Sequence, residues 1–148
     1  MKAHQQQVMK LAIEAAEKSG TPYGAAIIDA EGNLLAVCGN TVQIVNDATA
    51  HAEMNAIREA QKKTGSRKLA NCTIFTTVEP CPMCMGAVAW SGITKIFYGA
   101  SISDVTDSGG SQIMITAEEI ASKSFSEISV ESGVLRDECV GLLKRFYG

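Results

Sequence analysis

The alternation of short β-rich runs with helical segments is the feature of this sequence that most constrains its fold. Two strands predicted over Gly24–Asp29 and Asn33–Cys38 are joined by Glu31-Gly32-Asn33, a strong hairpin signal. After this hairpin, strands and helices follow one another in turn, which is typical of a sheet with helices on both faces. Right-handed crossovers then make the third and fourth strands parallel, and likewise the fourth and fifth. The predicted fold is a three-layer α/β/α sandwich with a mixed five-stranded sheet.

The other elements are predicted from hydrophobic periodicity and from residues that end helices. A first helix covers about Gln5–Lys18 and ends before Gly20 and Pro22. The remaining elements are a helix over Ala50–Lys63 capped within Asn46-Asp47-Ala48-Thr49, a strand over Cys72–Thr77, a helix over Cys81–Ser91, a strand over Thr94–Tyr98, a Ser/Asp/Gly-rich loop over Ala100–Ser111, a helix near Thr116–Ser122, a strand near Glu127–Val130 and a helix over Leu135–Tyr147. No repeat or linker separates them, so residues 1–148 are predicted to form a single domain.

Composition and charge exclude several classes of protein. With 148 residues, 46% hydrophobic and 20% charged, the chain resembles a folded domain and not a disordered or fibrous protein. It has no apolar run near the roughly 18–20 residues of a membrane span, and Met1–Lys10 is not a signal peptide, so we expect a cytoplasmic protein without membrane contact. The net charge of −3, from 13 Lys+Arg against 16 Asp+Glu, argues against RNA as a partner.

Cys81 and Cys84 stand apart from the other three cysteines because they are close together at the start of a predicted helix. Residues three apart on a helix share a face, so both thiols can converge on one point. His51 opens another helix that also follows a strand, and both helix starts should therefore lie at one edge of the sheet. Two thiolates and one imidazole suit one zinc ion per chain, and three protein ligands leave a fourth position for water.

Glu53 lies two residues after His51 and can turn toward the same metal position within the first helical turn. A carboxylate there can take a proton from water on the zinc and return it to a leaving amine. Alternatively, the Cys-x-x-Cys pair is a redox pair or half of a structural zinc site, which would need a fourth protein ligand such as His4. Glu79 is interpreted as a structural carboxylate that accepts backbone N–H bonds near the start of the third helix.

The pattern H-x-E followed by P-C-x-x-C, with the stretches YGAAI, TAHAEMNAIREA and EPCPMCMGAVAW, resembles the cytidine-deaminase-like superfamily of zinc nucleobase and nucleoside deaminases. The resemblance implies hydrolytic attack on a ring carbon that bears an exocyclic amine, with Glu53 as the proton shuttle. It also implies that Asn40 bonds the base or sugar, that the Ala52 backbone meets a ring carbonyl, and that the protein is a homodimer. The alternative for Asn40 is a turn residue that satisfies its own backbone.

Residues around the expected pocket resemble different branches of this superfamily. Tyr23 in PYGA matches the aromatic of PFGA in bacterial guanine deaminases, where the tRNA enzymes carry an aliphatic residue. Trp90 falls nine residues after Cys81, at a tryptophan position of guanine deaminases, so Tyr23 and Trp90 are predicted to enclose a flat heterocycle. The stretches SDVTDSGGSQIM and SGVLRDECVGLLKRFY look more like those of the tRNA adenosine deaminases.

The predicted function is a zinc-dependent hydrolytic deaminase acting on guanine or a related free base or nucleoside. One alternative is a tRNA adenosine deaminase, and another is a catalytically silent, zinc-stabilised RNA-binding or interaction module. Glu53 argues against the silent module, which has no need of a proton shuttle. Phe146 and Tyr147 are expected to pack over a small pocket. We interpret the one basic cluster of the sequence as a solvated helix face far from the zinc site. It consists of Arg58, Lys62, Lys63, Arg67 and Lys68.

Overall fold

The computed structural model describes residues 2–148 as one five-stranded sheet between two layers of helices. In chain order the elements are α1 (Lys2–Ser19), β1 (Gly24–Ile28), β2 (Leu34–Gly39), α2 (Val42–Val45), α3 (Ala52–Thr64), β3 (Thr73–Val78), α4 (Pro82–Ser91), β4 (Lys95–Ala100), α5 (Ile102–Asp107), α6 (Ala117–Ser122), β5 (Ser129–Glu131) and α7 (Arg136–Tyr147). The strand order is β2-β1-β3-β4-β5. Strand β1 is antiparallel to both neighbours, whereas β3, β4 and β5 are parallel, so the predicted sandwich and its mixed sheet are confirmed.

Two hydrophobic clusters hold the helices against the sheet. Helices α3, α4 and α6 cover one face, and α1, α5 and α7 cover the other. Successive residues of a strand point to opposite faces, so Ile27 joins the first cluster and Ile28 the second. Gly24 allows α1 to lie close to β1, because a Cβ at this position would overlap the carbonyl oxygen of Ala12. None of the helices within residues 2–148 is long and apolar enough to cross a membrane.

The predicted loop over residues 100–111 is wrong in its first half. Strand β4 continues to Ala100, and α5 follows at once because Ser101 and Asp104 form a capping box. The Ser101 hydroxyl accepts from the Asp104 N–H at 3.1 Å, and the Asp104 carboxylate accepts from the Ser101 N–H at 2.9 Å. Arg136 at the start of α7 donates to the same carboxylate at 2.7 Å, which ties α5 to α7. The sequence pattern S-x-x-D was the available signal for this helix.

Three further features of the fold differ from those predicted. The single-turn helix α2 was missed, and β5 covers Ser129–Glu131 instead of residues 127–130. The predicted cap of the second helix within residues 46–49 is wrong, because His51 is the N-cap of α3. Asp47 instead stabilises the preceding turn by accepting from the Thr49 N–H at 2.8 Å.

Candidate active site

The N-termini of α3 and α4 bring three metal-binding side chains to one edge of the sheet. His51 and Cys81 are the N-cap residues of these helices, both with extended backbone, and Pro82 begins α4 with a φ suited to the first turn. Neither side chain makes an N-cap hydrogen bond. Instead, His51 Nδ1 lies 3.7 Å from Cys81 Sγ and 3.6 Å from Cys84 Sγ.

This cluster fits zinc. The three ligand atoms lie within 4.8 Å of one another, and within residues 2–148 no other three His, Cys, Asp or Glu side chains come together in this way. A tetrahedral zinc with bonds of about 2.3 Å to sulfur and about 2.0–2.1 Å to nitrogen places such ligand pairs about 3.5 Å apart. His4 is not a fourth ligand, because it lies by the β1–β2 turn, where its ring approaches Gly32. A set of three protein ligands is typical of catalytic rather than structural zinc sites.

The electrostatics of the cluster favour a thiolate. Hydrogen bonding from the Cys84 thiol, followed by that from His51, lowers the pKa of Cys81 to about 4 against the opposing effect of burial. The same sulfur–sulfur bond, together with burial, raises the pKa of Cys84. The hydrogen bond to Cys81 also raises the pKa of His51. A metal cation that binds here displaces the proton that the Cys81 and Cys84 sulfurs share.

Glu53 lies in the first turn of α3 and faces the same space as His51 and Cys81. Its side chain is only 8% exposed, and burial raises its pKa to about 7. A bound cation opposes that shift, because a positive charge nearby favours the carboxylate. The structure thus brings together all four residues that the sequence assigned to the zinc site and the proton shuttle.

A cavity of about 650 Å³ opens above these residues. Its walls come from the end of α1 with the following turn, residues 40–44, the end of β3, residues 111–113 and the last two residues of α7. Tyr23, Phe146 and Tyr147 supply its aromatic surface. Among the residues the structure describes around this cavity, none is lysine or arginine.

Asn40 lines the cavity and also has the local role considered as its alternative. Its Oδ1 accepts from the Val42 N–H at 3.0 Å, at the start of α2. Ala52 is fully buried, and its side chain packs in the core rather than on the cavity wall. Its backbone N–H lies in the first turn of α3, where N–H groups have no acceptor within the helix. Its contact with a ring carbonyl therefore stays a prediction.

The prediction that Trp90 lines the pocket is wrong for this chain. Trp90 is 71% exposed near the C-terminal end of α4, and it is absent from the cavity wall. Nine residues of helix separate it from Cys81, a rise of about 13 Å at 1.5 Å per residue. Its ring packs instead against Phe125, with ring centroids 4.8 Å apart. A match in sequence position alone does not account for this distance along the helix.

The second buried glutamate of the cavity, Glu79, is structural, as predicted, but it bonds different elements. Its two carboxylate oxygens accept from the Ile102 N–H at 2.9 Å and the Ala117 N–H at 2.7 Å, at the starts of α5 and α6. Sequence reasoning missed other wall residues, among them Gln43 and Gln112. Both lie in irregular or single-turn segments, and no pattern around them indicated that they meet at one cavity.

Fold and site together define a zinc-binding α/β protein with a buried carboxylate, Glu53, beside its metal site. The family model described as the cytidine and deoxycytidylate deaminase zinc-binding region matches residues 2–100. This match includes the His51, Glu53, Cys81 and Cys84 positions. The chain therefore belongs to this family of zinc deaminases, and zinc is its metal.

Individual relatives carry three different names, two of which are deaminases. Guanine deaminase of Bacillus subtilis is 43% identical over 90 residues, which are 61% of this chain and 57% of that protein. The tRNA-specific adenosine deaminase of Bacillus subtilis is 35% identical over 144 residues, which are 97% of this chain and 86% of that protein. The tRNA(Ile)-lysidine synthase of Deinococcus radiodurans is 34% identical over 96% of this chain, which spans only 24% of it. The chain thus spans less than two thirds of two of these three relatives.

Solved structures show the same division. Guanine deaminase from Nitrosomonas europaea superposes with a TM-score of 0.78 at 30% identity, covering 99% of this chain and 84% of that one. A structure from a study of A-to-I editing by tRNA:A34 deaminases has a TM-score of 0.80 at 28% identity, covering 92% of this chain and 98% of that one. The two scores are nearly equal, so the backbone does not distinguish between the two substrates.

Proposed function

We propose that this protein catalyses zinc-dependent hydrolytic deamination of a free amino-heterocycle, with guanine as the first candidate substrate. The observation that carries the proposal is the cluster of His51, Cys81 and Cys84 beside Glu53, at a cavity whose described lining has no lysine or arginine. A cavity of about 650 Å³ lies within the range of roughly 300–1,000 Å³ for small-molecule sites. Its aromatic and neutral polar walls suit a flat, uncharged ring.

The chain's own groups supply the proton transfers of this reaction. His51, Cys81 and Cys84 would hold the zinc, which would supply a water activated as a nucleophile near neutral pH. Glu53 accepts a proton from that water and passes it to the ring nitrogen beside the attacked carbon. It then moves the second proton to the departing amine. The water oxygen becomes the ring carbonyl, the carbon–nitrogen bond breaks, and ammonia leaves.

Two polar groups of the site can orient the ring. Asn40 uses Oδ1 for the Val42 N–H, which leaves its amide N–H₂ to donate to a ring acceptor. The Ala52 N–H, without a helical acceptor, can donate to a ring carbonyl. Guanine offers such acceptors in its ring nitrogens and its carbonyl oxygen. The wall contributes shape and the two donors contribute orientation, which is the usual division in small-molecule sites.

A tRNA adenosine deaminase is the second candidate, because the adenosine deaminase relative matches 97% of this chain. RNA affinity arises largely from Lys and Arg residues that neutralise phosphates. Here the described cavity wall has none, and the net charge is −3. The basic residues between Arg58 and Lys68 follow α3 away from the site, since His51 is at its other end. These observations favour the free base over RNA as the substrate.

Ammonia release by the zinc-loaded protein tests the proposal across guanine, adenine, cytosine, guanosine, adenosine, cytidine and a tRNA anticodon hairpin. We expect turnover of a free base, guanine first, that is lost in Glu53→Gln. Conversion of adenosine to inosine in the hairpin, with no turnover of any base or nucleoside, would replace the proposal with the second candidate. A zinc-loaded protein inactive on every compound would contradict both.

A further inference from the structure

The outer wall of the cavity contains a direct bond between two tyrosines from opposite ends of the chain. The hydroxyl of Tyr23, just before β1, lies 2.6 Å from the hydroxyl of Tyr147, the last residue of α7. Both side chains are half-buried and both line the cavity. The two residues are 124 positions apart, so this contact joins the first strand to the last helix across the site.

Tyr23 is held on a rigid support. The Thr77 hydroxyl donates to the Pro22 carbonyl at 2.7 Å and accepts from the Gly24 N–H at 3.0 Å, which secures the backbone on both sides of Tyr23. Thr77 is fully buried in β3, next to the end of the strand that leads to Cys81. The Tyr23 hydroxyl stays a neutral donor and acceptor, because burial, and then its bond to Tyr147, raise its pKa.

Two contacts of the Tyr147 ring and one ion pair hold the end of α7 in place. This ring lies directly over Gly110, where an added Cβ would approach the ring to 2.8 Å. Its neighbour Phe146 meets it edge to face, with ring centroids 4.9 Å apart. One residue earlier, Arg145 pairs with Glu17 of α1 at 3.6 Å. The hydrogen bond to Tyr23 connects this end of α7 to the side of the cavity that faces β1.

We propose that the Tyr23–Tyr147 hydroxyl pair determines specificity by closing this side of the cavity, so that a free base is accepted and the same base attached to a sugar is disfavoured. This inference rests on the proposed function. A nucleoside adds a ribose for which the site must supply further room, whereas a free base needs no such room. Displacing the last turn of α7 to make room breaks the bond between the two hydroxyls.

The expected change in specificity follows from the free energy that one hydrogen bond contributes. A net contribution of about 0.5–1.5 kcal/mol corresponds to about 2- to 10-fold in an equilibrium. Tyr23→Phe and Tyr147→Phe each keep the ring and lose the bond. Each should lower the ratio of kcat/KM for the free base to that for its nucleoside by about 2- to 10-fold, mostly through KM.

A double-mutant cycle separates the bond from two independent effects. If the hydroxyls act through each other, Tyr23→Phe combined with Tyr147→Phe changes the ratio no more than either single variant. Tyr98→Phe is the matched control, because Tyr98 lies in β4 and is absent from the described cavity wall. A readout independent of activity is amide exchange in the last turn of α7, including the Gly148 N–H that donates to the Lys144 carbonyl at 2.8 Å. Exchange should increase in both tyrosine variants and not in Tyr98→Phe.

The outcomes distinguish this inference from the proposed function. If the wild-type protein turns over a free base but the variants leave the ratio unchanged, the inference is wrong and the proposed function stands. Additive effects of the two substitutions would also overturn it, because the hydroxyls would then act separately. If the wild-type protein acts only on the anticodon hairpin, both are wrong, since a closed wall would exclude that substrate.

Discussion

The floor and the outer wall of the cavity are built in different ways. The floor consists of His51, Glu53, Cys81 and Cys84, all near the starts of two helices and mostly buried. The outer wall consists of Tyr23, Ile44, Ile113, Phe146 and Tyr147, which come from four separate parts of the chain. Three of these wall residues are largely exposed, with Ile44 at 76%, Ile113 at 56% and Phe146 at 48%.

This difference separates chemistry from selectivity. Short sequence patterns and helix geometry place the floor, so a chain that has the pattern has the reaction centre. The wall depends on contacts between distant segments, such as the bond between Tyr23 and Tyr147. Related proteins can therefore share the floor and differ in substrate, as the two deaminase names among the relatives of this chain illustrate.

The largest expected effect is on the floor, through loss of the metal. Cys81→Ser should reduce zinc from one ion per chain toward none, abolish deamination and lower the melting temperature, because metal binding is coupled to folding. At free zinc about 100 times its Kd, the lost stabilisation is about 2.7 kcal/mol. Elemental analysis and thermal unfolding measure these changes. Cys38→Ser is the control, since Cys38 lies outside the cluster and donates to Glu59 at 2.8 Å. A metal-free protein with full activity would contradict the assignment.

The next effect separates the two buried glutamates of the site. Glu53→Gln should keep zinc and fold and lower kcat by about 10²–10⁴, the usual contribution of a general acid–base group. Glu79→Gln should act mainly on stability, by about 1–3 kcal/mol, because an amide cannot accept both backbone N–H groups that Glu79 now binds. Steady-state kinetics and denaturant unfolding of both variants test this contrast. Equal kinetic losses would mean that Glu79 shares in the chemistry.

The division between floor and wall also explains what the sequence could and could not predict. Strand alternation determined the layers and the parallel pairings, and the ligand spacing determined the zinc site. The α5 helix was missed because the Ser and Gly content of residues 100–111 outweighed the S-x-x-D cap. Trp90 was misplaced because a match in sequence position carries no information on which end of α4 faces the ligand. The bond from Tyr23 to Tyr147 has no local signal at all.

A smaller effect is expected on protein stability when the support of the wall is removed, and two adjacent threonines allow the comparison. Thr77→Val should cost about 1–3 kcal/mol, because it leaves the Pro22 carbonyl and the Gly24 N–H buried without their partner. Thr76→Val should be neutral or stabilising, because the Thr76 hydroxyl is buried and has no hydrogen-bond partner among the described residues. Chemical denaturation of the pair measures the difference. Similar losses for both would mean that the Thr77 bridge does not support Tyr23.

The smallest expected effect concerns Trp90, which lies outside both the floor and the wall. Its ring is 71% exposed and contacts Phe125, itself 67% exposed, at the opposite end of α4 from Cys81. Trp90→Ala should therefore change KM for the substrate by less than about 2-fold, as exposed substitutions generally do.

The matched comparison for Trp90→Ala is Tyr23→Ala, which removes an aromatic ring from the wall itself. Because a ring stacked on a base contributes about 1–3 kcal/mol, Tyr23→Ala should raise KM by about 5- to 150-fold. Steady-state kinetics on the same substrate give both values. A rise in KM for Trp90→Ala as large as that for Tyr23→Ala would place the Trp90 ring against the substrate. Trp90 would then belong to the wall and not to the remaining surface.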